Sequence, residues 1–99
     1  MITNDRGQTP LAGAAFKGSL DVARLLLDNG AAVDGRVDGG RTPLMMAAMF
    51  NRTQLVDLLL ARGADPALTD ADGVTALQAA EIMRAPDTPK QLAPLLNKP

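Results

Sequence analysis

The chain of 99 residues offers few side chains of the types that catalysis needs. It has no histidine and no cysteine, which removes the commonest general base near neutral pH, the thiol nucleophile and the preferred ligands of zinc. Its one serine, Ser19, therefore has no histidine to activate it, and its type favours a helix cap. These absences predict a protein that is not an enzyme and that holds no cofactor or metal.

Two carboxylates stand close together in the run Asp70-Ala71-Asp72-Gly73. Such a pair could in principle do acid–base work, or form part of a calcium loop. The bidentate acid and the spacing of a calcium loop are missing. Aspartate is common in turns that end in glycine because its carboxylate accepts nearby backbone N–H groups. We therefore interpret the run as a turn.

Two further short patterns do not indicate a functional site. The glycines at 35, 39 and 40 are followed by no Lys-Ser or Lys-Thr pair, so they do not form a phosphate loop. The run Asn51-Arg52-Thr53 fits a glycosylation sequon. Because the N-terminal residues are polar and lack an apolar signal core, we interpret the sequon as a chance match.

Charge and hydropathy exclude two classes of partner. The formal net charge is −1, with 10 basic and 11 acidic residues and no run of like charge. Phosphate backbones and anionic lipid surfaces need clustered Lys and Arg, so we expect no nucleic acid and no membrane partner. No apolar run is long enough to span a bilayer. We expect a cytoplasmic protein.

A repeat of 33 residues organises the chain. Thr9-Pro10-Leu11 recurs as Thr42-Pro43-Leu44 and again as Thr75-Ala76-Leu77. Three more motifs recur between the first two copies at the same offset, namely Ala14-Ala15 with Ala47-Ala48, Leu25-Leu26-Leu27 with Leu58-Leu59-Leu60, and Gly30-Ala31 with Gly63-Ala64. Matches in one register over this length indicate structural repeats.

Each repeat predicts a pair of helices followed by a loop. The threonine is a good N-cap, and the proline after it suits the first helical position. Gly18 or Asn51 then breaks the first helix, and a second helix is expected over residues 20–29 and 54–62, with Ser19 or Thr53 as its cap. Its buried stripe is predicted to be Val22, Leu25 and Leu26 in the first copy and Leu55, Leu58 and Leu59 in the second. Residues 32–41 and 65–74 are predicted to be hairpin loops.

This pattern resembles the ankyrin repeat, a unit of a turn and two helices marked T-P-L-H-x-A. The resemblance implies an all-α repeat fold, an α-solenoid in which about three helix-turn-helix units with hairpin loops stack. We expect one domain over residues 1–99. Its parts would be a partial N-terminal hairpin (1–8), two repeats (9–41 and 42–74) and a divergent C-terminal capping repeat (75–99). The histidine of the motif is replaced by Ala12, Met45 and Gln78.

The capping repeat is expected to end in a helix that runs roughly from Pro89 to residue 97. Thr88 would be its cap, and Leu92, Leu95 and Leu96 would be its buried residues. Pro94 would shorten or kink this helix.

The resemblance also implies a function, the binding of a partner protein by the concave face and the hairpin tips. The last positions of the first helices are apolar here, and Met, aromatic and Arg residues are enriched in interface cores. The same apolar residues could instead close the groove between helices, and the loop charges could simply be solvated. The expected contact residues are Arg36, Asp38, Arg41, Met49, Phe50, Thr69, Asp72, Phe16, Lys17 and Met83, with Ile82 beside them.

A second hypothesis is that the chain is a fragment or an end-cap of a longer array, with a mainly structural role. Weak self-association through an uncovered N-terminal face is a variant of that hypothesis.

Overall fold

The computed structural model describes residues 9–96, except for the side chains of Asp38 and Leu96. The hairpin expected over residues 1–8 lies outside the described part. Six α-helices and one short 3-10 turn follow one another in the described chain. They are α1 (Pro10–Lys17), α2 (Leu20–Asp28), the 3-10 turn (Asp38–Gly40), α3 (Pro43–Met49), α4 (Thr53–Ala61), α5 (Ala76–Ile82) and α6 (Thr88–Leu96). The predicted all-α repeat is confirmed.

Threonine caps begin the three inner helices, α1, α3 and α5, as predicted. In each one the threonine is extended and its hydroxyl accepts the backbone N–H three residues later. The residues that replace the histidine of the motif complete two of these caps. The Thr42 N–H points to the Met45 sulfur at 3.4 Å, and the Thr75 N–H donates to the Gln78 side-chain oxygen at 3.0 Å.

In all three units a residue just after the inner helix has a left-handed backbone conformation. Gly18 has a φ of 76°, and Asn51 and Arg84 both have a φ of 59°. The three positions are separated by 33 residues. The backbone therefore turns into the second helix in the same way in every unit, although only the first copy has the glycine that this conformation favours.

The helices stack in two layers and bury a core of small and aliphatic residues. The inner helix α3 packs against both α1 and α5, and α4 lies between α2 and α6. Leu44, Ala47 and Ala48 of α3 are fully buried, as predicted, and Leu59 of α4 is equally buried. Each buried leucine contributes about 1.5–3 kcal/mol through the removal of apolar surface from water, so the middle unit is the centre of stability.

The stripe predicted to be buried on α2 is largely exposed, which corrects the sequence interpretation. Val22 is 50% exposed and Leu25 is 62% exposed, whereas Leu55, the counterpart of Val22 in α4, is 2% exposed. The second unit has described helices on both sides. The first has them on one side only, so its aliphatic stripe is left uncovered.

Of the predicted caps of the second helices, Ser19 is confirmed in position only, and Thr53 is wrong. Ser19 occupies the cap position of α2 but makes no capping hydrogen bond, and Thr53 lies inside α4, whose cap position is held by Arg52. At Ser19 and Arg52 the ψ angles are 85° and 77°, short of the extended backbone that side-chain caps prefer.

The last helix begins at Thr88 and continues through Pro94 to Leu96. Leu92 is fully buried, as predicted, but Leu95 is 37% exposed. The Leu96 side chain lies outside what the structure describes. The prediction of a buried Leu95 is therefore wrong.

Candidate functional site

The expected contact residues fall into two sets, which we call the helix-end group and the hairpin group. The helix-end group comprises Phe16, Lys17, Met49, Phe50, Ile82 and Met83, at the ends of α1, α3 and α5. The hairpin group comprises Arg36, Asp38, Arg41, Thr69 and Asp72, in the loops before α3 and α5. No hydrogen bond or salt bridge joins the two sets among the side chains that are described.

Two phenylalanines form the centre of the helix-end group. The ring centroids of Phe16 and Phe50 lie 4.7 Å apart, with their planes at 88°. This edge-to-face arrangement is one that aromatic pairs prefer. Phe50 is half-buried, whereas Phe16 stays 44% exposed. Phe50 thus helps to close the groove between α1 and α3, while one face of the pair remains open to solvent.

The third unit continues this apolar surface. Ile82 is 69% exposed and Met83 is 46% exposed, while Met49 is half-buried. Because α3 packs against both α1 and α5, the three helix ends are neighbours. Exposed apolar side chains that adjoin one another are typical of contact sites.

Arg52 supports the phenylalanine pair, a role that sequence reasoning missed. Its Nε donates to the carbonyl oxygen of Phe16 at 3.1 Å. A Cβ atom at Gly18 would stand 3.1 Å from the Arg52 Cδ, so the small residue at 18 makes room for the guanidinium. Arg52 directly follows Asn51, whose φ is positive. This place in the sequence was the signal from which the contact of Arg52 could have been predicted.

The two hairpins lie against each other through backbone contacts. The Ala71 N–H donates to the Gly39 carbonyl at 2.8 Å. Gly40 has a φ of 77°, and a Cβ there would stand 2.9 Å from the Ala71 nitrogen. The backbones therefore approach more closely than a side chain at position 40 would allow.

Arg36 joins the same two hairpins with its side chain. One of its guanidinium nitrogens, Nη1, donates to the carbonyls of Gly40 and Thr69, both at 2.7 Å. Charged donors make the stronger hydrogen bonds. Within the hairpin group, Arg36 therefore holds the two hairpins together. Arg41, Thr69 and Asp72 are exposed, and the side chain of Asp38 lies outside the described part.

The carboxylate of Asp70 organises its own turn, which confirms the turn interpretation. It accepts the N–H groups of Asp72 at 2.8 Å and Val74 at 3.0 Å. The Val74 N–H is the largest cause that lowers the pKa of Asp70 below 3.8. Partial burial opposes this lowering of the pKa, and the Asp72 N–H and the charge of Arg41 then add to it. Over residues 9–96, no cluster of acidic side chains has the geometry to hold a metal ion.

The side chain of Asn51, the asparagine of the sequon, makes hydrogen bonds within the fold. The side-chain oxygen of Asn51 accepts the N–H groups of Asp87 at 2.9 Å and Thr88 at 3.1 Å. Its amide nitrogen donates to the Asp87 carboxylate at 3.1 Å. Asn51 thus caps the start of α6 from the neighbouring unit, and a glycan on this amide would displace the contact.

A separate apolar surface lies on α1 and α2. An open depression of about 480 Å³ is lined by Pro10, Leu11, Leu26 and the residues from Asn29 to Ala32. We call this depression, with the exposed Val22 and Leu25, the N-terminal face. None of the described helices is both long and apolar enough to cross a bilayer.

Comparison with known proteins identifies the repeats. A family model for ankyrin repeats in three copies matches residues 1–70 and 36–96. The chain is 39% identical over 99 residues to the E3 ubiquitin-protein ligase hecd-1 of Caenorhabditis elegans, which covers 99% of this chain and 4% of that protein. It is 36% identical over 88 residues to ankyrin repeat and SAM domain-containing protein 6 of Mus musculus, covering 88% of this chain and 10% of that protein.

A bacterial relative is matched over a larger part of its length. An ankyrin repeat-containing protein of Treponema pallidum is 36% identical over 85 residues, covering 86% of this chain and 28% of that protein. The chain thus spans less than a third of each of these relatives. The repeated Thr-Pro-Leu caps, the paired helices, the hairpins and the family match agree, and the chain belongs to the ankyrin repeat family.

Proposed function

We propose that the chain is a non-catalytic module that binds a partner protein through the helix-end group and the exposed hairpin residues. Ankyrin repeats are generally protein–protein interaction modules. The similarity to a ligase does not imply ligase activity for this chain, because the match covers 4% of that protein.

The observation that carries the proposal is the exposed apolar surface around Phe16, Ile82 and Met83. Three neighbouring helix ends each present an aromatic, Met or Ile side chain, and these rigid or adaptable apolar groups dominate interface cores. The hairpin residues Arg41 and Asp72, which precede α3 and α5, would supply polar contacts. Arg36 supports the surface indirectly, by keeping the two hairpins together.

Affinity capture with the chain as bait tests this proposal. The double variant Phe50→Ala/Arg41→Ala should lose the captured protein while its helical circular dichroism is retained. The matched control Val22→Ala/Leu25→Ala changes the N-terminal face and should capture the protein as well as the original chain does. The opposite pattern would assign binding to the N-terminal face.

A second candidate function is favoured by that N-terminal face. On its exposed aliphatic stripe, Val22 corresponds to Leu55, which the second unit buries, and Leu25 corresponds to the half-buried Leu58. The relatives are also several times longer than the chain. As a unit of a longer array, the chain would cover this stripe with a further helix pair.

A second copy of the chain could cover the stripe instead. Sedimentation velocity over a range of concentrations tests this variant. Self-association that Leu25→Glu abolishes would support it, and a concentration-independent monomer would exclude it.

A further inference from the structure

We infer, on the basis of the proposed function, that the partner segment seated on the helix-end group is acidic as well as apolar. The inference rests on the charges that border the group. Each of the three units places one cation at or just after the end of its inner helix. Lys17 ends α1, Arg52 holds the cap position before α4, and Arg84 is the second residue after α5. All three residues are exposed.

The three cations differ in the contacts that they make. Arg52 uses its Nε on the Phe16 carbonyl, which holds its guanidinium next to the apolar surface. Neither Lys17 nor Arg84 forms a salt bridge or a side-chain hydrogen bond within the described part of the chain. Among the described residues no carboxylate pairs with either charge, in contrast to Arg62, which pairs with Asp28 at 2.7 Å.

The acidic residues near the helix ends compensate these charges only in part. α3 carries no charged residue. Glu81 lies in α5, and the carboxylate of Asp87 accepts the amide of Asn51. On the outer helices, Asp21 pairs with Arg24 at 3.7 Å, and Asp57 accepts the amide of Gln91.

On the hairpin side the charges of Arg36, Arg41, Asp70 and Asp72 are mixed. The helix ends therefore carry an excess of positive charge, with three cations against Glu81 and Asp87. Its sign is opposite to the net charge of −1 of the whole chain.

A surface of this kind selects its ligand by its apolar side chains and by its positive charges. Apolar side chains of the partner would contact the open side of the phenylalanine pair, as interface anchors do. Carboxylates on the same segment would lie opposite the three cations, whereas basic segments would be repelled. Three separated cations fall short of the clustered charge that a nucleic acid backbone requires.

Fluorescence anisotropy with three labelled peptides of equal length tests the inference. The peptides share Phe and Leu anchors and differ only in the residues between them, which are Glu, Gln or Lys. We expect the Glu peptide to bind most tightly and the Lys peptide most weakly, with a preference that shrinks as salt rises.

Charge-removing variants sharpen the test. Lys17→Gln and Arg84→Asn should each weaken the Glu peptide about two- to fivefold and weaken the Gln peptide less. Asparagine is chosen at 84 because it tolerates a positive φ. Arg24→Gln, on the outer helix α2, is the matched control and should change neither.

The outcomes separate the inference from the proposed function. If the Gln or Lys peptide binds as tightly as the Glu peptide, and Phe16→Ala weakens all of them, the acidic preference is overturned and the helix-end group still binds. If Phe16→Ala alters no peptide, or none of the three peptides binds, the helix-end group is not the binding site and both conclusions fail.

Discussion

Phe16 and Phe50 meet edge-on across two successive repeats, with their ring centroids 4.7 Å apart. They are not equivalent positions of the repeat. Phe50 corresponds to Lys17, and Phe16 corresponds to Met49. The contact is therefore diagonal, from the end of α1 to the residue after α3. It links the packing of the stack to the surface that we propose binds a partner.

The first prediction concerns the buried centre of the stack. Leu59→Ala should lower the free energy of unfolding by about 2–5 kcal/mol, because it leaves a cavity between fully packed helices. Leu58 is half-buried, so Leu58→Ala should cost less. Urea melts give the difference. Leu25→Ala, at an exposed position, is the control and should change stability by about 0.5 kcal/mol or less. Equal losses for Leu59→Ala and Leu25→Ala would refute the assigned packing.

The second prediction compares two adjacent glycines with similar φ. Gly39→Ala should cost about 1–2 kcal/mol, because its φ of 84° is unfavourable for alanine and nothing lies near its Cβ position. Gly40→Ala should cost clearly more, because its Cβ would also press on the Ala71 nitrogen. The measurement is the urea midpoint of each variant. A Gly40→Ala loss no larger than that of Gly39→Ala would contradict the close approach of the hairpins.

The third prediction concerns the cap that Asn51 provides for α6. Asn51→Gly keeps the left-handed turn but removes the hydrogen bonds to Asp87 and Thr88, so it should destabilise by about 1–3 kcal/mol. Amide hydrogen exchange in α6 should rise most. The matched control is Arg84→Gly, which relaxes an equal φ and removes no such contact. Relief of the left-handed φ favours the folded state and the greater freedom of glycine in the unfolded chain opposes it, so stability should change by less than about 1 kcal/mol. Unaltered exchange in α6 of Asn51→Gly would disprove the cap.

The fourth prediction concerns the acid sensitivity of the second hairpin. The pKa of Asp70 is lowered chiefly by the Val74 N–H, so ionised Asp70 stabilises the folded hairpin. That contribution is complete above a pH of about 4, the range of a free aspartate. It is lost as the pH falls through the lower folded value.

An NMR titration of the Asp70 carboxyl carbon tests this sign. The midpoint should lie below 3.8, and the stability difference from Asp70→Asn should shrink at the acid end. A midpoint at or above 3.8 would rule out the hydrogen-bonded turn.

Local chemistry made the inner helices predictable from the sequence. The Thr-Pro starts, the breaks at Gly18 and Asn51 and the buried face of Leu44, Ala47 and Ala48 follow from capping, backbone conformation and helical spacing. These features depend on residues within one turn of each other. The repeat interval then extended them to every unit.

Features that depend on neighbouring units were harder to predict. The exposure of Val22 and Leu25 depends on which helix lies beside α2, and one repeat's pattern does not contain that information. The bond from Arg52 to the Phe16 carbonyl and the cap from Asn51 to α6 join residues that stacking alone brings together. The same applies to the bonds by which the Nη1 of Arg36 joins two hairpins; its predicted contact with a partner stays a prediction.

The dissociation constant of the captured partner for the original chain and for Phe16→Ala tests the central claim most directly. Phe16 is 44% exposed, so its replacement should leave the fold intact and can be checked by circular dichroism. We predict that Phe16→Ala weakens binding about tenfold or more, the effect of losing an aromatic anchor of at least about 1.4 kcal/mol. An unchanged dissociation constant for Phe16→Ala, together with weaker binding by Val22→Ala/Leu25→Ala, would contradict the claim.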